Sequence, residues 1–135
     1  MLFQAFIDYD GERTTPMRFF DNQTAEARAE VKVTRWRGGQ HPTFETITHK
    51  MTAEGMRPYA WTQGPNFRRP VCSHGYSKVI YCVEGALEVI LPDLNQQTTL
   101  RPGDRLELPR GVRYAAIAGP SGVRCVEGEL LPLLS

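Results

Sequence analysis

The sequence predicts an all-β chain of short antiparallel strands, closed or sandwiched, with one short helix. Three observations predict it. Ten Pro and twelve Gly are spread as punctuation between short apolar runs, and turn signals recur about every eight to twelve residues, as in sandwiches and barrels. Residues 27–34 alternate apolar and charged positions, the pattern of a half-buried antiparallel strand. Residues 79–83 are apolar at every position, as in a strand covered on both faces.

The elements follow in order. Leu2 to Tyr9 form an aromatic-rich run stopped by Asp10-Gly11, and Pro16 to Phe20 read as a second strand. Ala27 to Thr34 place Ala27, Ala29, Val31 and Val33 on one face, and Gly38-Gly39 ends the segment. A helix is expected from about Pro42 to Glu54: Pro42 suits the first turn, Phe44, Ile47 and Met51 share one face, and Gly55 suits the C′ position. Its internal threonines give it mediocre propensity, so packing must hold it. His41 and His49, at or near this helix, read as solvent-facing. Arg57 to Trp61 is expected as a strand and Gln63-Gly64-Pro65-Asn66 as a loop. After the segment 72–85, Ala86 to Leu91 and Gln97 to Leu100 form a hairpin around Pro92-Asp93-Leu94-Asn95. Pro102-Gly103-Asp104, Pro109-Arg110-Gly111 and Gly119-Pro120-Ser121-Gly122 then separate strands at 105–108, 114–118 and 123–130.

The 135 residues are one domain by size, with 1–55 an N-terminal extension of strands plus the helix and 56–130 the main β-unit. Sixteen Lys and Arg against fifteen Asp and Glu leave a net charge of +1. That balance implies neither nucleic acid nor an anionic membrane as partner. No stretch reaches the roughly 20 apolar residues of a membrane helix. Three cysteines, and an opening Met-Leu-Phe-Gln-Ala-Phe with no basic start, are read as a cytoplasmic chain with reduced thiols.

Chemistry concentrates in Cys72 to Gly85. Read as one strand, it sends Cys72, His74, Tyr76, Lys78, Ile80 and Cys82 to one face and Val79, Tyr81 and Val83 to the other. His74 reads equally as a hydrogen-bonded interior histidine and as a functional group. Cys72 is either a buried structural thiol or, beside His74 and Lys78, a reactive one. Lys78 in an interior needs a carboxylate such as Glu88 or Glu107, or an anionic ligand. Cys82 and Cys125 read as packing residues. Trp36 and Trp61 read as core or interface, Trp61 being the better binding candidate because it precedes the loop at 63–66.

These residues resemble the cupin superfamily, small jelly-roll β-barrels. Against that family's first motif, G-x5-H-x-H-x3,4-E-x6-G, Gly85 takes the final glycine, Lys78 the Glu place, His74 the second His and Cys72 the first. Against the second, G-x5-P-x-G-x2-H-x3-N, Gly103, Pro109 and Gly111 match in spacing, with Tyr114 in the His place and Ala118 in the Asn place. The likeness covers about residues 56–130 and is carried by turn residues that shape backbone. Lys78-Val-Ile-Tyr-Cys-Val-Glu-Gly also looks like a subgroup of single-domain bacterial cupins with a degenerate metal motif.

The resemblance implies a jelly-roll barrel with N-terminal extra strands and a polar interior that receives a small molecule. The first expectation is a metal-independent binding cupin for a compact anionic or carbonyl-bearing ligand, with Lys78 as charge partner. Within it, His74 moves a proton and Lys78 or Tyr114 stabilises an oxyanion, while Cys72, Tyr76 and Trp61 contact the ligand. The second is a metal-dependent oxygenase or isomerase using Cys72 and His74, with Tyr114 near, the thiolate favouring a divalent transition metal such as Zn. Against it, Tyr binds metal poorly without losing a proton of pKa near 10, and Lys78 sets a positive charge beside the cation. The third is a structural barrel with a filled interior. N-terminal strands that could extend a neighbour's sheet suggest a homodimer.

Overall fold

The computed structural model describes residues 14–19 and 29–130. The run Leu2 to Tyr9, the turn after it, Phe20 and Ala27 lie outside them. The strands are β1 (Thr14–Phe19), β2 (Ala29–Thr34), β3 (Tyr59–Gln63), β4 (Arg68–Cys72), β5 (Ser77–Leu91), β6 (Gln96–Leu100), β7 (Arg105–Leu108) and β8 (Tyr114–Leu130), with one α-helix, α1 (Phe44–Ala53). The sheet order is β1-β2-β7-β5-β8-β3, with β4 also against β8 and β6 against β5. All pairings are antiparallel.

β5 and β8 form the spine and pair along most of their length, from Ser77 opposite Leu130 to Ile90 opposite Ala115. Residues 77–82 of β5 lie between β8 and β7, whereas residues 87–91 lie between β8 and β6. Both strands thus pass from one layer to the other, with register shifts between Cys82 and Glu84 and between Gly85 and Leu87. Gly85 and Gly122, at φ of 80° and 83°, make the bend, and a Cβ on Gly85 would stand 2.1 Å from the Gly122 carbonyl oxygen. Bulges and glycines are how a strand turns such a corner without ending.

This corrects two readings. Residues 119–122 do not separate two strands: β8 runs through them, because positive φ serves a bend as well as a reversal. Nor is 72–85 one strand, because β4 ends at Cys72 and β5 begins at Ser77. Ser73 to Tyr76 carry the chain between layers, pinned where the Gly111 amide donates to the His74 carbonyl at 2.9 Å. The strand expected over 57–61 lies at Tyr59–Gln63, Pro58 having no amide to add to the ladder.

Inward side chains of both layers, among them Val31, Val33, Ile80, Cys82, Leu87, Val89, Leu106, Leu108, Ala116 and Cys125, form one apolar core. On the outer face, α1 lays Ile47 and Met51 on Val79, Tyr81, Val83 and Val126. That cover explains why 79–83 is apolar on both sides. Gly128 permits the approach, since a Cβ there would stand 3.2 Å from Met51 Cε. Thr43 caps α1 by accepting from the Thr46 amide, and Gly55 follows with φ of 91°. His41 and His49 are exposed. Buried Asp104 accepts from Arg35, from the Trp36 amide and from the Arg101 amide, tying the end of β2 to the turn before β7. No described helix is long and apolar enough to cross a membrane.

Candidate functional site

The site lies at the end of the barrel where β5 starts and β8 finishes. On β8 the inward alternation that buries Cys125 brings in Glu127 two residues later, and on β5 the same alternation turns Lys78 inward with Ile80 and Cys82. Lys78 is 2% exposed and Glu127 4%. The Lys78 ammonium donates to Glu127 Oε2 at 3.1 Å. From β3, the Tyr59 hydroxyl donates to the same oxygen at 2.6 Å and the Trp61 indole to Glu127 Oε1 at 2.8 Å. Burial alone pushes the Glu127 carboxyl up, but these three donors and the lysine charge hold it below the usual carboxylate range. It therefore remains ionised.

The carboxylate partner of Lys78 is thus Glu127, not Glu88 or Glu107. Glu107 pairs with Arg105 at 3.1 Å, and Glu88 stands opposite Thr99 on β6. An anion could not use Lys78 without breaking a buried pair, so the lysine is a structural cation. Its Nζ also lies 5.1 Å from the centre of the Tyr114 ring, a cation–π distance.

Tyr114 opens β8 opposite Cys72, the last residue of β4. Burial, then the neighbouring Cys72 thiol, pushes its phenol pKa up, so it keeps its proton. His74, on the crossing between β4 and β5, sets Nε2 3.3 Å from the Tyr114 hydroxyl. Burial, and then the positive charges of Lys78 and Arg69, lower the His74 pKa against the opposing pull of Glu127. A neutral imidazole and a protonated phenol thus share one hydrogen bond, its donor set by the imidazole tautomer.

Tyr76, 37% exposed, stacks its ring 5.1 Å from that of His74. It also lines a cavity of about 470 Å³ with Gly55, Arg57, Tyr59, Glu127 and Glu129. The size is within the range of small-molecule pockets. Trp61 carries the Arg69 guanidinium over its ring at 5.4 Å, so it holds Glu127 and Arg69 rather than presenting a bare platform.

Cys72, His74, Lys78 and Tyr114 therefore lie close together, though not as one strand's row, with Tyr76 and Trp61 beside them. The residue that sequence reasoning missed is Glu127. The period-two alternation applied at Lys78 finds it too, since Cys125 and Glu127 share a parity opposite Val126 and Gly128.

A transition metal is the group the cupin resemblance implies at this position. Among the described residues no three His, Cys, Asp or Glu side chains converge on one point. Cys72 and His74 supply two donors, Tyr114 holds its proton more firmly than usual, and the Lys78 ammonium stands where a carboxylate would be needed. This donor set does not fit a transition-metal centre.

No protein-family model matches the chain, and no curated protein matches it in sequence. Solved structures do match it. A protein of unknown function from Rhizobium leguminosarum is 16% identical, over 55% of this chain and 68% of that chain, with a TM-score of 0.50. The polyketide cyclase RemF from Streptomyces resistomycificus is 21% identical, over 78% and 72%, with a TM-score of 0.50. An RmlC-like cupin from Shewanella frigidimarina is 20% identical, over 73% and 74%, with a TM-score of 0.49. At such identities the likeness concerns fold alone. With the strand topology and the positive-φ glycines at 85, 103 and 111, the fold is a small jelly roll of the cupin type.

Proposed function

We propose that the chain is a small-molecule-binding barrel that seats a compact carboxylate- or carbonyl-bearing ligand in the cavity beside Glu127. One observation carries the reading: a desolvated, ionised carboxylate, held by three donors, forms part of the wall of a ligand-sized cavity. The middle of the barrel is filled by the apolar core, so binding belongs to its end. Arg57 takes over the role of anion partner expected of Lys78, because it lines the cavity and has no ion pair among the described residues. Tyr59 and Tyr76 offer ring surface. The His74–Tyr114 pair lies one ring away from the cavity, behind Tyr76. The pair does not line the cavity, so a ligand seated beside Glu127 meets it only through the Tyr76 ring, which the pair helps to position.

Trp61 reports on the cavity through its bond to Glu127. Titration with a panel of compact aromatic carboxylates and keto acids, read by tryptophan emission, is expected to give saturable changes that weaken at least about tenfold in Tyr76→Ala, the loss of one aromatic contact. If no compound of the panel gives a saturable change, or if Tyr76→Ala binds as the parent does, the reading fails.

A further inference from the structure

We propose that the ligand is a zwitterion: a compact ring-bearing molecule carrying a carboxylate for Arg57 and an ammonium for Glu129, as in a free amino acid with a ring side chain. The proposal rests on the reading of the cavity beside Glu127 as the binding site.

Three observations lead to it. First, Tyr59 stands opposite Glu127 in the antiparallel register of β3 and β8, and continuing that register by two residues sets Arg57 against Glu129. Opposite charges placed across a strand pair usually engage each other. Here both residues line the cavity, both are exposed, and among the described residues they form no ion pair, with each other or with any other group. Elsewhere the chain does close ion pairs between neighbouring segments, as Arg105 does with Glu54 and Arg113 with Asp93.

Second, the charges around the cavity cancel. Lys78 and Glu127 neutralise each other within the wall, which leaves one positive group on the β3 side and one negative group on the β8 side. A neutral occupant would engage neither charge, and a singly charged one would engage only one of the two. A zwitterion oriented along the same axis satisfies both.

Third, apart from Gly55, the remaining lining is aromatic. Tyr59 and Tyr76 present rings to the cavity, which suits a flat ring in the ligand, and their faces also favour an ammonium.

Calorimetry with three probes tests this. L-tyrosine carries both charges, tyramine lacks the carboxylate, and 3-(4-hydroxyphenyl)propionate lacks the ammonium. L-tyrosine is expected to bind at least about tenfold more tightly than either, the effect of one charge-assisted hydrogen bond. Arg57→Gln should abolish the preference over tyramine, and Glu129→Gln the preference over the propionate. Both side chains are exposed, so circular dichroism should show both variants folded. If the single-charge probes bind as tightly as L-tyrosine, the zwitterion proposal fails and the cavity reading stands. If none of the three binds, both fail.

Discussion

Lys78 and Glu127 hold opposite charges 3.1 Å apart where neither side chain is more than 5% exposed, so each keeps the other tolerable in a weakly polar surrounding. Removing one partner of such a pair costs about 3–5 kcal/mol, whereas replacing both by apolar groups of similar volume is often neutral or stabilising. Glu127→Leu alone is therefore expected to lose about 3–5 kcal/mol, since it leaves the lysine charge buried and the Tyr59 and Trp61 donors unmatched. Lys78→Met should lose less, because the carboxylate keeps those two hydrogen bonds. The double variant should recover the share of the Glu127→Leu loss that comes from the unpaired lysine charge, while the Tyr59 and Trp61 donors stay unmatched. Urea titration of the four proteins checks this, and a double variant no more stable than Glu127→Leu would show that the two charges are not coupled. That Lys78 needs a partner is legible in the sequence, since a lysine at an inward position is never free. Which carboxylate answers is not, because the partner lies 49 residues away and only the β5–β8 register sets them together.

Among the elements, the two spine strands decide how the layers meet, and Gly85 is where β5 changes layer. With φ of 80° and a Cβ position 2.1 Å from the Gly122 carbonyl oxygen, Gly85→Ala combines left-handed backbone strain with a clash against main chain. A loss of about 2–4 kcal/mol is expected, read by thermal or urea unfolding; a loss under about 0.5 kcal/mol, ordinary for a surface change, would mean the bend does not need glycine. Glycine positions are visible in a sequence, and those at 85, 103 and 111 identify the fold. Whether a glycine reverses the chain or bends it depends on which distant strand continues the ladder. That is why 119–122 reads as a turn yet lies within β8, and why the row beginning at Cys72 breaks before Ser77. Local signals, by contrast, specify α1 closely: Gly55 follows its end and Ile47 and Met51 fall on the buried face, while the helix starts at Phe44 behind the Thr43 cap, which leaves Pro42 before the first turn.

At the scale of the whole molecule, the site is also a joint. Glu127 on β8 binds side chains from β3 and β5, and His74 sits on the crossing between layers, so protonation there should act on the stability of the entire domain. The sign follows from linkage, by which stability rises with pH wherever the unfolded chain binds more protons than the folded one. His74 has a lowered pKa in the fold, so as pH drops below about 6.5 the unfolded chain takes up a proton that the folded one declines. Glu127 also has a lowered pKa. Below about 4.3 the unfolded carboxylate is protonated first, and the stability present above that value drains away as pH falls through the folded pKa. Both effects run the same way: stability is highest near neutrality and falls in two stages towards acid. Urea midpoints measured from pH 8 to pH 3 should show both stages. In His74→Phe the upper stage should flatten while the lower one persists, since the aromatic replacement keeps the ring contact with Tyr76 and removes only the titrating nitrogen. An upper stage of unchanged size in that variant would assign the proton to another group and remove His74 from the acid response.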